Sequence, residues 1–390
     1  MKLRFVVYLV TFAAFLAPFS QTIYTPILPE VQNLFQSSTF LVNLTISIYT
    51  FCLALMQIVY GPLTDLWGRK KVLLPALALF LVGSVGCLFS NTISLLIFFR
   101  AVQAMGIAAG TVVATTVISD LYEGKLRGRA LGLFQMMVAI GPVVGPLVGG
   151  WVGEHLGYQG IFIILIAVGI VILLLNIVFL KETKPDGGSG DRFQIRDFWL
   201  IMKHKIGSSL ILISFIQFFS LYHFLVFLPI ILSTSYGLSP SEKGFSFTAL
   251  SLFLVIGTYL SGRFQDRWDP KKSLILFSFL SVVTLVTFIF VAHVSLVLML
   301  INLAFFGLFM GLSQPVQMLM LTNSFTNRRG TAVGIYNVFR FIGMTLGPIV
   351  GSYLFQYGEL PLLFGVTAVI YLLVLLYASR QFFSRQVQSV

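Results

Sequence analysis

Residues 61 to 71 read Gly61-Pro62-Leu63-Thr64-Asp65-Leu66-Trp67-Gly68-Arg69-Lys70-Lys71. This is a short, charged turn bounded by glycines and set between two long apolar runs. Two such runs can be joined this tightly only if the turn lies just outside a membrane, where water satisfies its charges. Gly61 and Gly68 are expected to permit close approach and unusual backbone angles. Arg69, Lys70 and Lys71 are expected to hold the turn at the cytoplasmic face. Asp65 is harder to explain as a surface charge inside a basic cluster.

Outward from this turn the chain is apolar throughout. Of 390 residues, 57% are hydrophobic and 10% charged, against about 25% charged in a soluble domain. A bilayer core takes roughly 20 helical residues per span. Twelve runs fit, over 5–29, 40–62, 72–91, 93–119, 131–153 and 158–180, then 206–232, 244–262, 273–293, 295–322, 331–355 and 361–379. The expected fold is an all-α membrane protein of twelve transmembrane helices in two pseudo-symmetric six-helix bundles. The bundles are expected at 1–180 and 206–390, joined by a cytoplasmic linker at 181–205 that carries Gly187-Gly188-Ser189-Gly190 and reads as flexible.

The net charge of +12 does not imply nucleic acid, because of where it lies. Basic residues sit at alternate connections: Lys2 and Arg4, Arg69 to Lys71, Lys125 to Arg129, the 181–205 segment, Arg263 to Lys272, Arg328 with Arg329, and Arg380 with Arg385. The opposite side holds Glu30, Glu154, Glu242 and Glu359, with Lys243 as its one lysine or arginine. Such a bias places both termini and the linker in the cytoplasm. The basic start followed by apolar residues imitates a signal peptide, but the run continues to about Leu28 and reads as the first span. Cys52 and Cys87 lie inside apolar runs, so neither a disulfide nor a metal site is expected.

The two halves repeat each other. Gly61 and Asp65 answer to Gly262 and Asp266, 201 residues on. Arg127-Gly128 answers to Arg329-Gly330, and Gly141, Gly145-Pro146 and Gly149 answer to Gly343, Gly347-Pro348 and Gly351, all 202 residues on. A register held at three separate places indicates an internal duplication.

The turn G-x-L-x-D-x-x-G-R-K-K resembles the loop between the second and third helices of the major facilitator superfamily. Arg100-Ala101-Val102-Gln103-Ala104-Met105-Gly106 resembles that family's R-x-x-Q-G-x-G motif, with Ala104 in place of one glycine. Gly132, Gly141, Gly145-Pro146 and Gly149-Gly150 reproduce the spacing G-x8-G-x3-G-P-x2-G-G. The last pattern is similar to that of the twelve-helix drug:proton antiporters, among them bicyclomycin and chloramphenicol exporters of bacterial inner membranes. Small residues four apart let another helix approach closely, and Pro142 and Pro146 allow a bend. The resemblance implies parallel repeats with a solute site between them. It also implies that Asp65 faces the start of the eleventh span, near Thr331, where the helix dipole favours an anion. In the second copy Asp269 replaces the second glycine and Pro270 follows, so that latch is degraded.

The first span carries Gln21-Thr22-Ile23-Tyr24-Thr25-Pro26-Ile27-Leu28-Pro29-Glu30. Many relatives of that branch have an acidic residue where Thr22 stands. No carboxylate falls near the middle of any span. Arg100, about 10 Å deep, and Arg340, about 14 Å deep, make the interior basic. Arg100 is linked to proton movement in the family. Two readings stay open for each arginine: a functional group, or a structural one bonded to glutamine and backbone. Proton-coupling candidates are Arg100, Glu30, Asp120 with Arg127, and His223, since histidine titrates near neutrality. Candidates to line a solute cavity are Gln21, Tyr24, Asn43, Gln135, Tyr222, Gln314, Asn337 and Arg340, with Tyr49, Gln57, Gln217 and Gln317 behind them.

The expected function is proton-coupled efflux of drugs or small amphipathic compounds by alternating access. The alternative is a dedicated exporter of a metabolite (a sugar, siderophore or amino-acid derivative), and a lipid flippase comes third. The expected partners are a small-molecule substrate, protons and the lipid bilayer; no cofactor and no nucleic acid is implied, and a monomer is expected. An enzyme would need clustered catalytic groups, whereas the four histidines, His155, His204, His223 and His293, are scattered.

Overall fold

The computed structural model describes residues 3–184, 195–264, 268–326 and 328–383, and the described residues are helical or connecting, with no strand. Arg4 lies in the first helix; Asp266 and the glycines of 187–190 fall outside the described residues. The helices are α1 (Leu3–Thr22), α2 (Leu28–Leu34), α3 (Thr39–Trp67), α4 (Arg69–Leu88), α5 (Ile93–Leu121), α6 (Gly124–Phe179), α7 (Ile195–Lys203), α8 (Lys205–Tyr236), α9 (Pro240–Phe264), α10 (Pro270–Val291), α11 (Leu296–Ser324) and α12 (Arg329–Phe383). A short 3₁₀ turn at Thr25–Ile27 joins α1 to α2. Among the described residues, ten helical stretches are long and apolar enough to cross a membrane. Two of these, α6 and α12, bend sharply at Gly157 and at Gly358–Glu359. Counting their arms separately gives the twelve apolar segments.

Local chemistry explains the boundaries. The Ser38 side chain accepts from the Leu41 N–H, and Thr92 does the same for Leu95, capping α3 and α5. Asp269 accepts from Lys271 and Lys272, with Pro270 opening α10. Such caps satisfy the orphan donors of a helix start. Gly68 has φ +101° and is the single residue between α3 and α4. Gly157, with φ +66°, interrupts the helical path of α6. Gly61, by contrast, sits in regular helix with no atom within 4 Å of a Cβ built there; the expected close approach is made by Gly68.

The chain divides into two compact units, residues 1–191 with 226–247, and residues 192–225 with 248–390. The stretch 226–247, the end of α8 and start of α9, therefore packs with the first unit although it follows the linker in sequence. Within the linker, 181–184 are held against the 66–70 turn and 195–203 form α7, so neither part is the loose tether expected over 181–205.

Inside the first unit the helices meet backbone to backbone. A Cβ at Gly106 would overlap the Phe80 amide, and one at Gly110 would press on the Ala13 carbonyl. In the second unit Gly307 and Gly311 lie on the Leu250 and Leu254 carbonyls, and Gly257 lies on that of Leu308. Lipid is as apolar as leucine, so close van der Waals packing of small residues takes over the role that apolar burial has in water. Exposed Phe98, Val178 and Phe290 are ordinary for a lipid-facing surface.

Candidate functional site

At the 61–71 turn Arg69 and Lys70 are engaged. Arg69 is nearly buried. Its Nε donates to Asp120 Oδ2 at 2.8 Å, its Nη1 to the Thr64 carbonyl at 3.0 Å, and its Nη2 lies 3.4 Å from Asp65 Oδ1. Asp120 thus pairs with Arg69, one of the basic residues of the 61–71 turn, and Arg127, named with it as a proton-coupling candidate, is exposed. Thr183 Oγ1 also donates to Asp120, and Lys70 Nζ donates to the Ile177 carbonyl. The sequence reading missed Glu182. Its carboxylate accepts the N–H groups of Arg69 (2.7 Å), Lys70 (3.2 Å), Thr183 (3.1 Å) and Lys184 (3.1 Å), an anion seated on the first turn of α4. A Cβ on Gly68 would collide with it.

Burial pushes the Glu182 carboxyl up, but those four backbone donors outweigh it and hold the group below the usual carboxylate range. The stabilisation is therefore present above the unfolded value of about 4.3 and is lost as pH falls through the lower folded value. Glu182→Gln is expected to cost about 0.3–1 kcal/mol at neutral pH and to flatten the acid limb of stability. Thermal melts in detergent at neutral and acid pH check this; identical acid slopes for variant and native protein would refute it.

Deeper in the first unit, Arg100 is fully buried. Its Nη1 donates to Gln103 Oε1 at 2.6 Å and to the Ser20 carbonyl at 3.4 Å. Gln103 in turn donates to Ser84. The guanidinium carbon lies 5.0 Å from the Tyr24 ring centre and 4.3 Å from that of Tyr49, within cation–π range. Nε and Nη2 have no hydrogen-bond partner, and among the described residues no carboxylate pairs with Arg100. Thr22 donates to the Pro18 and Gly141 carbonyls.

In the second unit, buried Gln217 donates to Ser313 at 2.7 Å, and Gln317 donates to Gln217 at 2.8 Å. Tyr336 donates to Gln317. Arg340 is half-buried, 4.4 Å from the Phe218 ring centre, and its Nε has no hydrogen-bond partner. His223 is fully buried, with Nε2 3.0 Å from the Gly347 carbonyl and Nδ1 3.1 Å from Thr367 Oγ1. Both contacts are with residues of α12, so the ring links α8 to α12.

The glycine pattern forms a seam. Gly141 faces Pro18 and Phe19, Gly145 faces Thr22, and Gly149 faces the Ile23 backbone. Gly150 faces Pro240, while Gly132 faces nothing within 4 Å. The second copy repeats the arrangement, with Gly343 and Gly347 on the Phe215 and Phe219 carbonyls. Of the remaining candidates, Gln21, Asn43 and Tyr222 are buried, Gln314 and Asn337 half-buried, and Gln135 exposed. Gln57 donates to Thr111. At the opposite end from the basic turn, Lys243 has no exposed surface and pairs with Glu30. Lys243 was visible in the sequence as the lone lysine on an acidic face, but its partner was not. Cys52 and Cys87 are buried and unpaired, and no metal-binding cluster occurs among the described residues.

A family model described as Major Facilitator Superfamily matches residues 10–205 and 210–389. The uncharacterized MFS-type transporter YdgK of Bacillus subtilis (strain 168) is 25% identical over 362 residues, covering 88% of each chain. Citrate exporter 1 of Aspergillus niger is 34% identical over 183 residues, 47% of this chain and 35% of that one. Multidrug resistance protein MdtL of Escherichia coli (strain SMS-3-5 / SECEC) is 28% identical over 158 residues, 40% of each. Among solved structures, an inward-facing, occupied bacterial homolog of the human lysosomal transporter Spinster superposes with a TM-score of 0.80 at 18% identity, covering 97% of this chain and 96% of that one.

Proposed function

The chain belongs to the Major Facilitator Superfamily and is a multi-pass membrane transporter; we propose that it exports drugs or other small amphipathic compounds in exchange for protons by alternating access. The observation that carries this reading is the seam of Gly141, Gly145 and Gly149 against α1, spaced as in antiporters of the resembled branch. Similarity to a multidrug resistance protein supports it. The proposal includes cytoplasmic termini, from the charge bias, and a monomer. It also includes a latch in which Asp65 meets the start of α12 when the cytoplasmic side closes. An inward proton supplies about 2.3 kcal/mol per 100 mV, enough for accumulation of a neutral solute outward by tenfold or more, since tenfold takes about 1.4 kcal/mol.

A second reading, a dedicated exporter of an acidic or neutral metabolite, draws on Arg100 and Arg340. Both are buried or half-buried cations with unpartnered N–H groups and no carboxylate partner among the described residues, and such a set favours anions over permanent cations. One relative is a citrate exporter. Counterflow in proteoliposomes with an imposed pH gradient and a panel of neutral, anionic and cationic compounds tests both readings. Gradient-driven uptake of several unrelated compounds is expected. Transport without any gradient dependence would end the antiport reading. One anion alone, with affinity lost in Arg340→Ala, would select the second.

A further inference from the structure

Between α1 and the second arm of α6, within the first unit, runs a groove of about 160 Å³. Phe5, Tyr8, Leu9 and Phe12 form its α1 wall, and Ile172 and Leu175 stand opposite on α6. Phe5 and Phe12 are seven residues apart, so the groove runs about 10 Å along the helix. One amide lies in it. Asn176 is fully buried, and its Nδ2 donates to the Ile172 carbonyl at 2.8 Å. That bond fixes which way the amide points, because its oxygen would be repelled by the carbonyl. Oδ1 has no donor. A buried acceptor left so is costly, the more where hydrocarbon replaces water. The walls are otherwise aliphatic and aromatic, so water, which needs about two to four polar partners, is a poor donor here. The occupant that fits has an apolar chain with a donor close to its polar end.

The rim identifies that end. The Phe5 and Phe179 rings meet edge to face with centres 5.3 Å apart, and Tyr8 is exposed. Tyrosine favours the level of lipid head groups. Asn176 lies three residues before Phe179, about 4–5 Å deeper, where a head group gives way to its chains. Lys181 is exposed two residues beyond Phe179, and Lys2 and Arg4 precede Phe5 in the sequence. Cations at the rim attract a phosphate and disfavour a head group that carries its own ammonium. We propose that this groove holds an anionic phospholipid with a glycerol head group. One acyl chain lies between α1 and α6, a head-group hydroxyl donates to Asn176 Oδ1, and the phosphate meets the basic rim. The site is independent of which solute is carried and in which direction.

The test is native mass spectrometry of the delipidated full chain with dioleoyl lipids that differ only in head group. Phosphatidylglycerol supplies charge and hydroxyl, and phosphatidylmethanol the charge alone. Phosphatidylethanolamine supplies an N–H donor without net charge, and phosphatidylcholine neither. For the tightest-bound molecule, phosphatidylglycerol is expected to bind about tenfold tighter than phosphatidylmethanol, the scale of one hydrogen bond, with phosphatidylcholine weakest. Asn176→Leu keeps the branched shape and removes the acceptor. It should erase the preference for glycerol over methanol and leave the preference for anionic lipids in place, with a melting temperature at or above the native one. Lys181→Gln should do the reverse, weakening both anionic lipids alike and keeping their ratio. Leu9→Trp fills the groove from α1 and should lose the tight site. Should a groove variant fail to fold, the native chain's ranking of the lipids decides. Equal affinity for phosphatidylglycerol and phosphatidylmethanol in the native chain, or a preference that survives Asn176→Leu, overturns the proposal. Tighter binding of phosphatidylethanolamine than of phosphatidylglycerol overturns it as well, since the donor would then be an ammonium.

Discussion

Gly149→Val is expected to abolish transport and to leave little folded protein, with a loss of about 3 kcal/mol or more. The reason is what the new side chain meets. A Cβ on Gly149 would fall on the backbone carbonyl of Ile23, with its C and Cα also within contact. A flexible side chain could turn aside; a helical backbone cannot move without carrying α1 away from α6. Interiors close-packed to this degree transmit such a shift instead of absorbing it. Gly132→Ala is the matched control. It lies in the same motif and the same helix, yet nothing stands within 4 Å of its Cβ, so a change within about 0.5 kcal/mol is expected. Thermal stability by size-exclusion in detergent, with transport in proteoliposomes, reads both. Equal tolerance at the two glycines would mean that the motif marks sequence ancestry and not a packed seam.

The contrast between Gly149 and Gly132 shows what a sequence carries and what it withholds. Spans were legible because a bilayer demands about 20 apolar residues in a row, and the duplication because its register holds across the chain. The spacing of Gly141, Gly145 and Gly149 put them on one helix face, but the partner, α1, became visible only with tertiary packing. The turns between the fifth and sixth and between the eleventh and twelfth spans were anticipated, though not that Gly157, or Gly358 with Glu359, would suffice to make each one. Glu182 escaped notice because it sits in a stretch whose composition reads as tether, and nothing local reveals that it caps α4. Arg100 and Gln103 are three residues apart and share a helix face by simple periodicity. Tyr24 comes from the turn after α1 and Tyr49 from α3, and helix rotation is not encoded in any window of one chain. The same holds for His223, whose titratable ring suggested proton traffic and whose contacts with Gly347 and Thr367 come from another helix.

Arg100 offers the sharpest separation of stability from function. Removing a buried, unneutralised guanidinium has two opposed effects. Arg100→Ala leaves a void between Tyr24 and Tyr49 and strips Gln103 of its donor, for a loss of about 2–5 kcal/mol. Arg100→Met fills most of that volume and relieves the cost of a charge held without a carboxylate. Replacing buried ions by apolar groups of similar size is often neutral or stabilising by about 1–4 kcal/mol. The methionine variant should therefore melt at or above the native temperature. If the guanidinium serves transport, its proton-driven flux should nonetheless fall by tenfold or more, since an expensive charge inside a membrane persists where it is used. Arg100→Lys should land between, keeping the charge but losing the planar stack on two rings. Melting temperature and gradient-driven flux, measured on the same preparations, place each variant on both axes. A methionine variant that transports at the native rate would make Arg100 a tie between α1 and α5 and nothing more. The search for the charge that meets the solute would then pass to Arg340, whose guanidinium rests on Phe218 with its Nε unpartnered.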